Sequence, residues 1–111
     1  LFSGLIIIAK HLDMKPIFEP KIISESGNTI YSNVITDESC LRKFGYIEYT
    51  NSVKSALREE RIGSNPLIVK AIANDESDMK NFIISEQDRY MIEQSNNIIG
   101  FLERCGVIII L

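Results

Sequence analysis

The sequence predicts an α/β (α+β) sandwich. A mixed β-sheet is covered by helices in the order β-β-β-α(α)-β-β-α-β, with the first and last strands central. Three observations carry this. Residues 5–9 and 107–111 are continuous apolar runs rich in isoleucine, and a strand without polar alternation is one covered on both faces. Residues 25–28 form a polar Glu-Ser-Gly-Asn break between two strand-like stretches, which signals a hairpin. The stretch that opens at Ser85 has helical periodicity over residues 85–102.

Each element has its own reason. Each isoleucine of the first run contributes roughly 1.5 to 3 kcal/mol when fully buried. Strands over residues 18–24 and 29–34 flank the hairpin turn, and Pro16 and Pro20, which cannot donate backbone hydrogen bonds, belong at a strand start or an edge. Thr36, Asp37 and Glu38 start a short helix that carries Cys40, Leu41 and Phe44 and stops at Gly45. Thr50 or Asn51 caps a second, with Val53, Ala56 and Leu57 inward, which Gly63 ends. Residues 67–73 and 82–84 are expected to pair as a second hairpin around the polar turn 74–78. Ser85 with Asp88 forms a capping-box variant. The helix it opens would bury a stripe of Met91, Ile98 and Leu102 flanked by Ile92 and Ile99, and break at Gly106. If strand 82–84 and the last strand share a sheet, their connection is a right-handed parallel crossover.

The chain has 111 residues, suited to one domain, and a net charge of -3. Its pI near 5.1 and scattered Lys and Arg argue against a nucleic-acid surface. No apolar run approaches the roughly 18 residues of a membrane span. The apolar ends suggest a piece excised from a longer protein. Cys40, Cys105 and the single His11 lack any zinc spacing, so no metal is expected. Two free thiols are the expectation, reversed if the compartment is oxidising.

No strong catalytic signature is present. His11 and Asp13 fall on one face if strand alternation continues, but no nucleophile accompanies them. The carboxylates at Asp37/Glu38, Glu59/Glu60 and Asp75/Glu76/Asp78 lack calcium-loop spacing and suit solvated turns. The turn Gly63-Ser64-Asn65-Pro66 is followed by a strand rather than a helix, and Pro66 removes a donor, so it is no phosphate cradle. Gly63 stops a helix there, and Asn65 is pushed to extended geometry before Pro66.

The short motifs Ser3-Gly4-Leu5-Ile6-Ile7, Lys15-Pro16 with Pro20-Lys21-Ile22, Gly45 and Tyr49, Asn65-Pro66-Leu67-Ile68-Val69-Lys70-Ala71, Ile83-Ile84-Ser85, and Phe101-Leu102 through Cys105 to Val107-Ile108-Ile109 form one pattern. It resembles the C-terminal module of bacterial exported proteins related to the lipoprotein-twenty family and to flagellar assembly accessory proteins of the FlgT/FlgP kind. Such modules commonly carry an acidic residue, Ala, Arg and Gly after the first strand. Ile8-Ala9-Lys10-His11 stands there instead, so the resemblance brings no charged role to that strand end. It implies a non-enzymatic component at the periplasm or outer membrane, with a signal peptide or lipid anchor upstream and no cofactor. A cytoplasmic setting is the alternative.

The leading expectation is thus a non-catalytic structural or protein-interaction module with a partner in the cell envelope. Lys15, Glu19 and Lys21 beside the prolines, with Arg61 near the turn, are its candidate contacts. A rival is a small-ligand-binding domain with a pocket near His11, Asp13 and Tyr49. A metal-assisted hydrolase is the third.

Overall fold

The computed structural model describes residues 1–75 and 81–111. Two four-stranded sheets form where one was expected. The first contains β1 (Gly4–Ile8), β4 (Glu48–Thr50), β5 (Pro66–Lys70) and β8 (Val107–Ile110), in the order β4-β8-β1-β5. All its pairings are parallel, with Leu5 opposite both Leu67 and Val107. The first and last strands are its central pair, as their unbroken apolar character requires, and β8 is buried throughout.

The second sheet is mixed and contains β2 (Lys21–Ser24), β3 (Thr29–Tyr31), β6 (Ala73–Asn74) and β7 (Asn81–Ile84), in the order β3-β2-β7-β6. β2 and β3 form the hairpin around residues 25–28. The expected pairing of strand 67–73 with 82–84 splits: β5 runs beside β1, and only the short β6 pairs with β7. The chain leaves one sheet for the other between Ala71, whose N–H donates to the Ile8 carbonyl, and the exposed Ile72, whose N–H donates to the Ile83 carbonyl. β7 and β8 therefore lie in different sheets, so the condition for a crossover within a single sheet is not met. The turn placed at 74–78 lies mostly outside the described residues.

The main core fills the space between the sheets: Leu5, Ile7, Val69, Val107 and Ile109 from the first, Ile22, Ile30, Tyr31, Phe82 and Ile84 from the second. A smaller cluster of Ile6, Ile108 and Ile110 on the other face of the parallel sheet is covered by Ala56 and Ile62. Ala56 belongs to α2 (Val53–Ala56), whose cap is Ser52, its side chain accepting from Ser55 N–H at 3.1 Å. Thr50 is strand rather than cap, because β4 occupies a stretch not expected to be extended.

α3 (Glu86–Ile99) starts as expected, with Ser85 Oγ accepting from Asp88 N–H at 3.0 Å. Its buried face is Ile92 and Ser95, while Ile98 is 71% exposed. The stripe is rotated from the expected one, so that Ser95 faces the body of the protein and its Oγ accepts from the Phe2 N–H at 3.0 Å. Gly100, at φ 72, stops the helix six residues before Gly106. Gly106 instead sits where a Cβ would meet the Phe101 carbonyl at 2.9 Å.

The two cysteines form a disulfide, Cys40–Cys105, with Cα atoms 5.9 Å apart. It joins α1 (Glu38–Lys43) to the turn that enters β8. The expectation of free thiols is thereby overturned. Spacing could not show it, since cysteines separated by 65 positions meet only through the tertiary fold.

Candidate functional site

Because the strands of the first sheet are all parallel, its two ends differ chemically, and ligands of open parallel sheets gather at the carboxyl ends. Here that end is roofed by the strap of residues 13–20. Lys10–Leu12 turns as a 3-10 helix directly after β1, so strand alternation does not reach His11 and Asp13. His11 Nε2 lies 2.6 Å from the Ala71 carbonyl, and Asp13 takes a left-handed backbone at φ 52. Glu19, at φ 51, marks the far end of the strap.

Two tyrosines hold the strap. The Tyr49 hydroxyl accepts from Ile17 N–H at 3.1 Å and donates to the Ile17 carbonyl at 2.7 Å. The Tyr46 hydroxyl donates to the Pro20 carbonyl at 2.6 Å. Tyr46 is stacked on Tyr31, ring centroids 4.7 Å apart, and Tyr31 in turn donates to the Tyr46 carbonyl at 2.5 Å. Burial pushes the Tyr49, Tyr46 and Tyr31 hydroxyls above the usual phenol range, so they remain protonated donors at neutral pH.

The strap is bordered by clefts. One of about 610 Å³ is lined by Lys15, Pro16, Tyr49, Asn51, Ser55 and Leu111 at the carboxyl ends of β4 and β8. A second, about 490 Å³, lies toward Asp13 and Asn74. A third, about 310 Å³, lies between Phe18 and the Leu41, Tyr46 and Ile47 side chains. Phe18 itself stands 87% exposed on the strap.

The candidate contacts divide accordingly. Lys15 and Glu19 are exposed strap residues, and Lys21 is exposed at the start of β2. Arg61 is elsewhere and only 7% exposed. It lies at the amino end of the sheet and donates to the carbonyls of Gly45 at 3.1 Å, Cys105 at 3.3 Å and Phe44. Glu48 Oε1 is 3.6 Å away. Burial pulls the guanidinium below its usual range, against the opposing pull of Glu48, Tyr31 and Glu59. Glu48 is raised by burial and by the Glu59 carboxylate, while Arg61 lowers it.

The proposed ligand set is not brought together. Tyr49 lines the first cleft and Asp13 the second, with Met14, Lys15 and Pro16 between them, and His11 lines neither. Among the described residues no group of three or more His, Cys, Asp and Glu side chains is placed to hold a metal ion. Glu76 and Asp78 of the acidic turn lie outside those residues. The helix expected to run to Gly63 is instead α2, ending at Ala56, and a separate 3-10 helix, Glu60–Ile62, which Gly63 closes at φ 73; β5 begins at Pro66, one residue before the expected strand. No described helix is long and apolar enough to cross a membrane.

Phe18 and Tyr46 were not singled out by the sequence. A lone aromatic between two prolines was the signal for the first. For Tyr46 there was none beyond its place after Gly45.

The family model described as Treponema pallidum Tp0624, second domain, matches residues 4–111. No curated protein matches the chain. The matched family is bacterial, as the motif pattern implied, and its description names a Treponema domain without mention of the lipoprotein-twenty family or the FlgT/FlgP kind.

Proposed function

The chain belongs to the family of the second domain of Treponema pallidum Tp0624, and on that footing we propose that it is a non-catalytic protein-interaction module of an exported bacterial envelope protein, binding its partner through Phe18 and the strap. One observation carries the reading: an aromatic side chain 87% exposed on a backbone fixed by two tyrosine hydroxyls, that of the buried Tyr46 and that of the half-buried Tyr49. Aromatic side chains dominate interface hot spots, and a loop already held in place loses little entropy on binding. Lys15 and Glu19 supply a charged rim of both signs. The disulfide supports an oxidising compartment outside the cytoplasm. A surface assembly, the flagellum included, is the kind of setting such a module serves.

The test is competition. A photoreactive phenylalanine at position 18 of the full-length protein is expected to crosslink to one discrete envelope protein, and an excess of the free wild-type domain to suppress that product. The Phe18→Ser domain is expected to fail as competitor. Equal competition by both domains would place the contact elsewhere.

A second reading rests on the cleft of about 610 Å³ at the carboxyl ends of β4 and β8. There a small ligand would contact Tyr49 and Lys15. A ligand that binds only the native state raises the melting temperature by mass action. A screen of nucleotides and sugars without any rise removes this reading.

A further inference from the structure

Among the described residues β4 pairs with β8 alone, so its other side is an open edge of the parallel sheet. An open edge presents backbone donors and acceptors to any chain that runs alongside it. On the β8 side, the Thr50 carbonyl accepts from Leu111 N–H. Ladder groups of successive residues point to opposite sides, so the N–H and C=O of Tyr49 face outward.

The side chains of β4 divide between two surfaces. Tyr49 lies opposite Ile109, which belongs to the main core, and Glu48 lies opposite Ile108, which belongs to the cluster on the outer face. A segment laid along the edge alternates in the same way, one residue turned inward and the next outward. The inner side offers it an apolar cleft: Tyr49 lines the space of about 310 Å³ that it shares with Phe18, Leu41, Tyr46 and Ile47. The outer side is acidic. The Glu48 and Glu59 carboxyl groups lie within hydrogen-bond reach of each other. Among the described residues, Arg61 is the one cation within ion-pair distance of either, and its side chain is 2% exposed against 34% for Glu48. Two carboxyl groups thus share one buried cation, and a cation arriving from solvent finds an acidic pair at the edge.

We propose that the β4 edge takes up an extended segment of the partner as a fifth strand, in which apolar residues seated in the cleft beside Phe18 alternate with basic residues that meet Glu48 and Glu59. Main-chain hydrogen bonds give such strand addition its affinity, and the alternate side chains give it specificity. The inference rests on the reading of Phe18 as a contact and names the chemistry of the chain that it contacts.

The probe is a fluorescein-labelled, capped peptide of alternating lysine and valine, read by anisotropy. It is expected to bind and to slow hydrogen exchange at the Tyr49 amide. A peptide of alternating glutamate and valine, and the lysine and valine composition in blocked order, are expected to bind at least about tenfold more weakly. Only every second N–H of an added strand faces its neighbour. Methylating the backbone nitrogens of one set, the lysines or the valines, is therefore expected to abolish binding, and methylating the other set to preserve it. Glu59→Gln is expected to weaken binding about threefold, and Glu38→Gln on α1, whose partner is Arg42, to leave it unchanged. Phe18→Ser is expected to weaken it about tenfold. Full binding by Phe18→Ser with Tyr49 still protected removes the Phe18 contact and leaves the edge standing. No binding of the lysine and valine peptide, no protection at Tyr49, or the same response to both methylated sets overturns the edge, whatever the crosslink at position 18 shows.

Discussion

The two ends of the parallel sheet are closed by different chemistry. At the amino end, the Cys40–Cys105 bridge and the buried Arg61 tie α1, the Phe44-Gly45 turn and the start of β8 into one clasp. At the carboxyl end, the strap is held by neutral tyrosine hydroxyls on two backbone positions, Ile17 and Pro20. The clasp restricts the unfolded chain and compensates a buried charge, so it bears on global stability. The strap bonds are each of modest net value. They fix where Phe18 stands without binding the fold to it.

Four variants break or sharpen that contrast. Replacing both cysteines by alanine should cost about 4 kcal/mol, given how long a loop the bridge closes, and urea unfolding measures it. Two titratable thiols in the unreduced, denatured protein would show that the bridge does not form. Arg61→Ala strips three carbonyls and Glu48 of their partner and should cost about 3 kcal/mol, read as a lower urea midpoint. Tyr49→Phe deletes both bonds to Ile17 and should cost only about 1 kcal/mol, while hydrogen exchange at the Ile17 amide accelerates. A global loss as large as that of Arg61→Ala would mean that the strap is part of the stabilising core. Phe18→Ser should change stability by less than about 0.5 kcal/mol, and a clear fall in melting temperature would show that Phe18 packs on the fold instead of standing free.

Much of the architecture was legible because it depends on local pattern. Unbroken apolar runs placed β1 and β8 at the centre of a sheet. The Ser85 cap and the 25–28 turn located α3 and the first hairpin. The division into two sheets was not legible, since β5 and β7 are both short apolar strands and nothing local states which neighbour each will pair with. The stripe of α3 differs for a related reason: Ile98 is as apolar as Ile92, and only the tertiary contacts decide that Ile92 and Ser95, whose Oγ accepts from Phe2 N–H, face the body of the protein.

The candidate site divides in the same way. Lys15 and Glu19 were found on the right loop because prolines and charge mark exposed, irregular chain. Arg61 was placed on the surface by its charge alone, and only the fold supplied the three carbonyls that make its burial tolerable. The sequence by itself determined the two central strands, the first hairpin and the start of α3, because apolar runs, caps and turn residues act over a few positions. The tertiary structure decided the rest: sheet membership, the Cys40–Cys105 bridge and the fate of Arg61. Each of these depends on groups distant in sequence meeting across a core, and no short stretch of chain encodes that meeting.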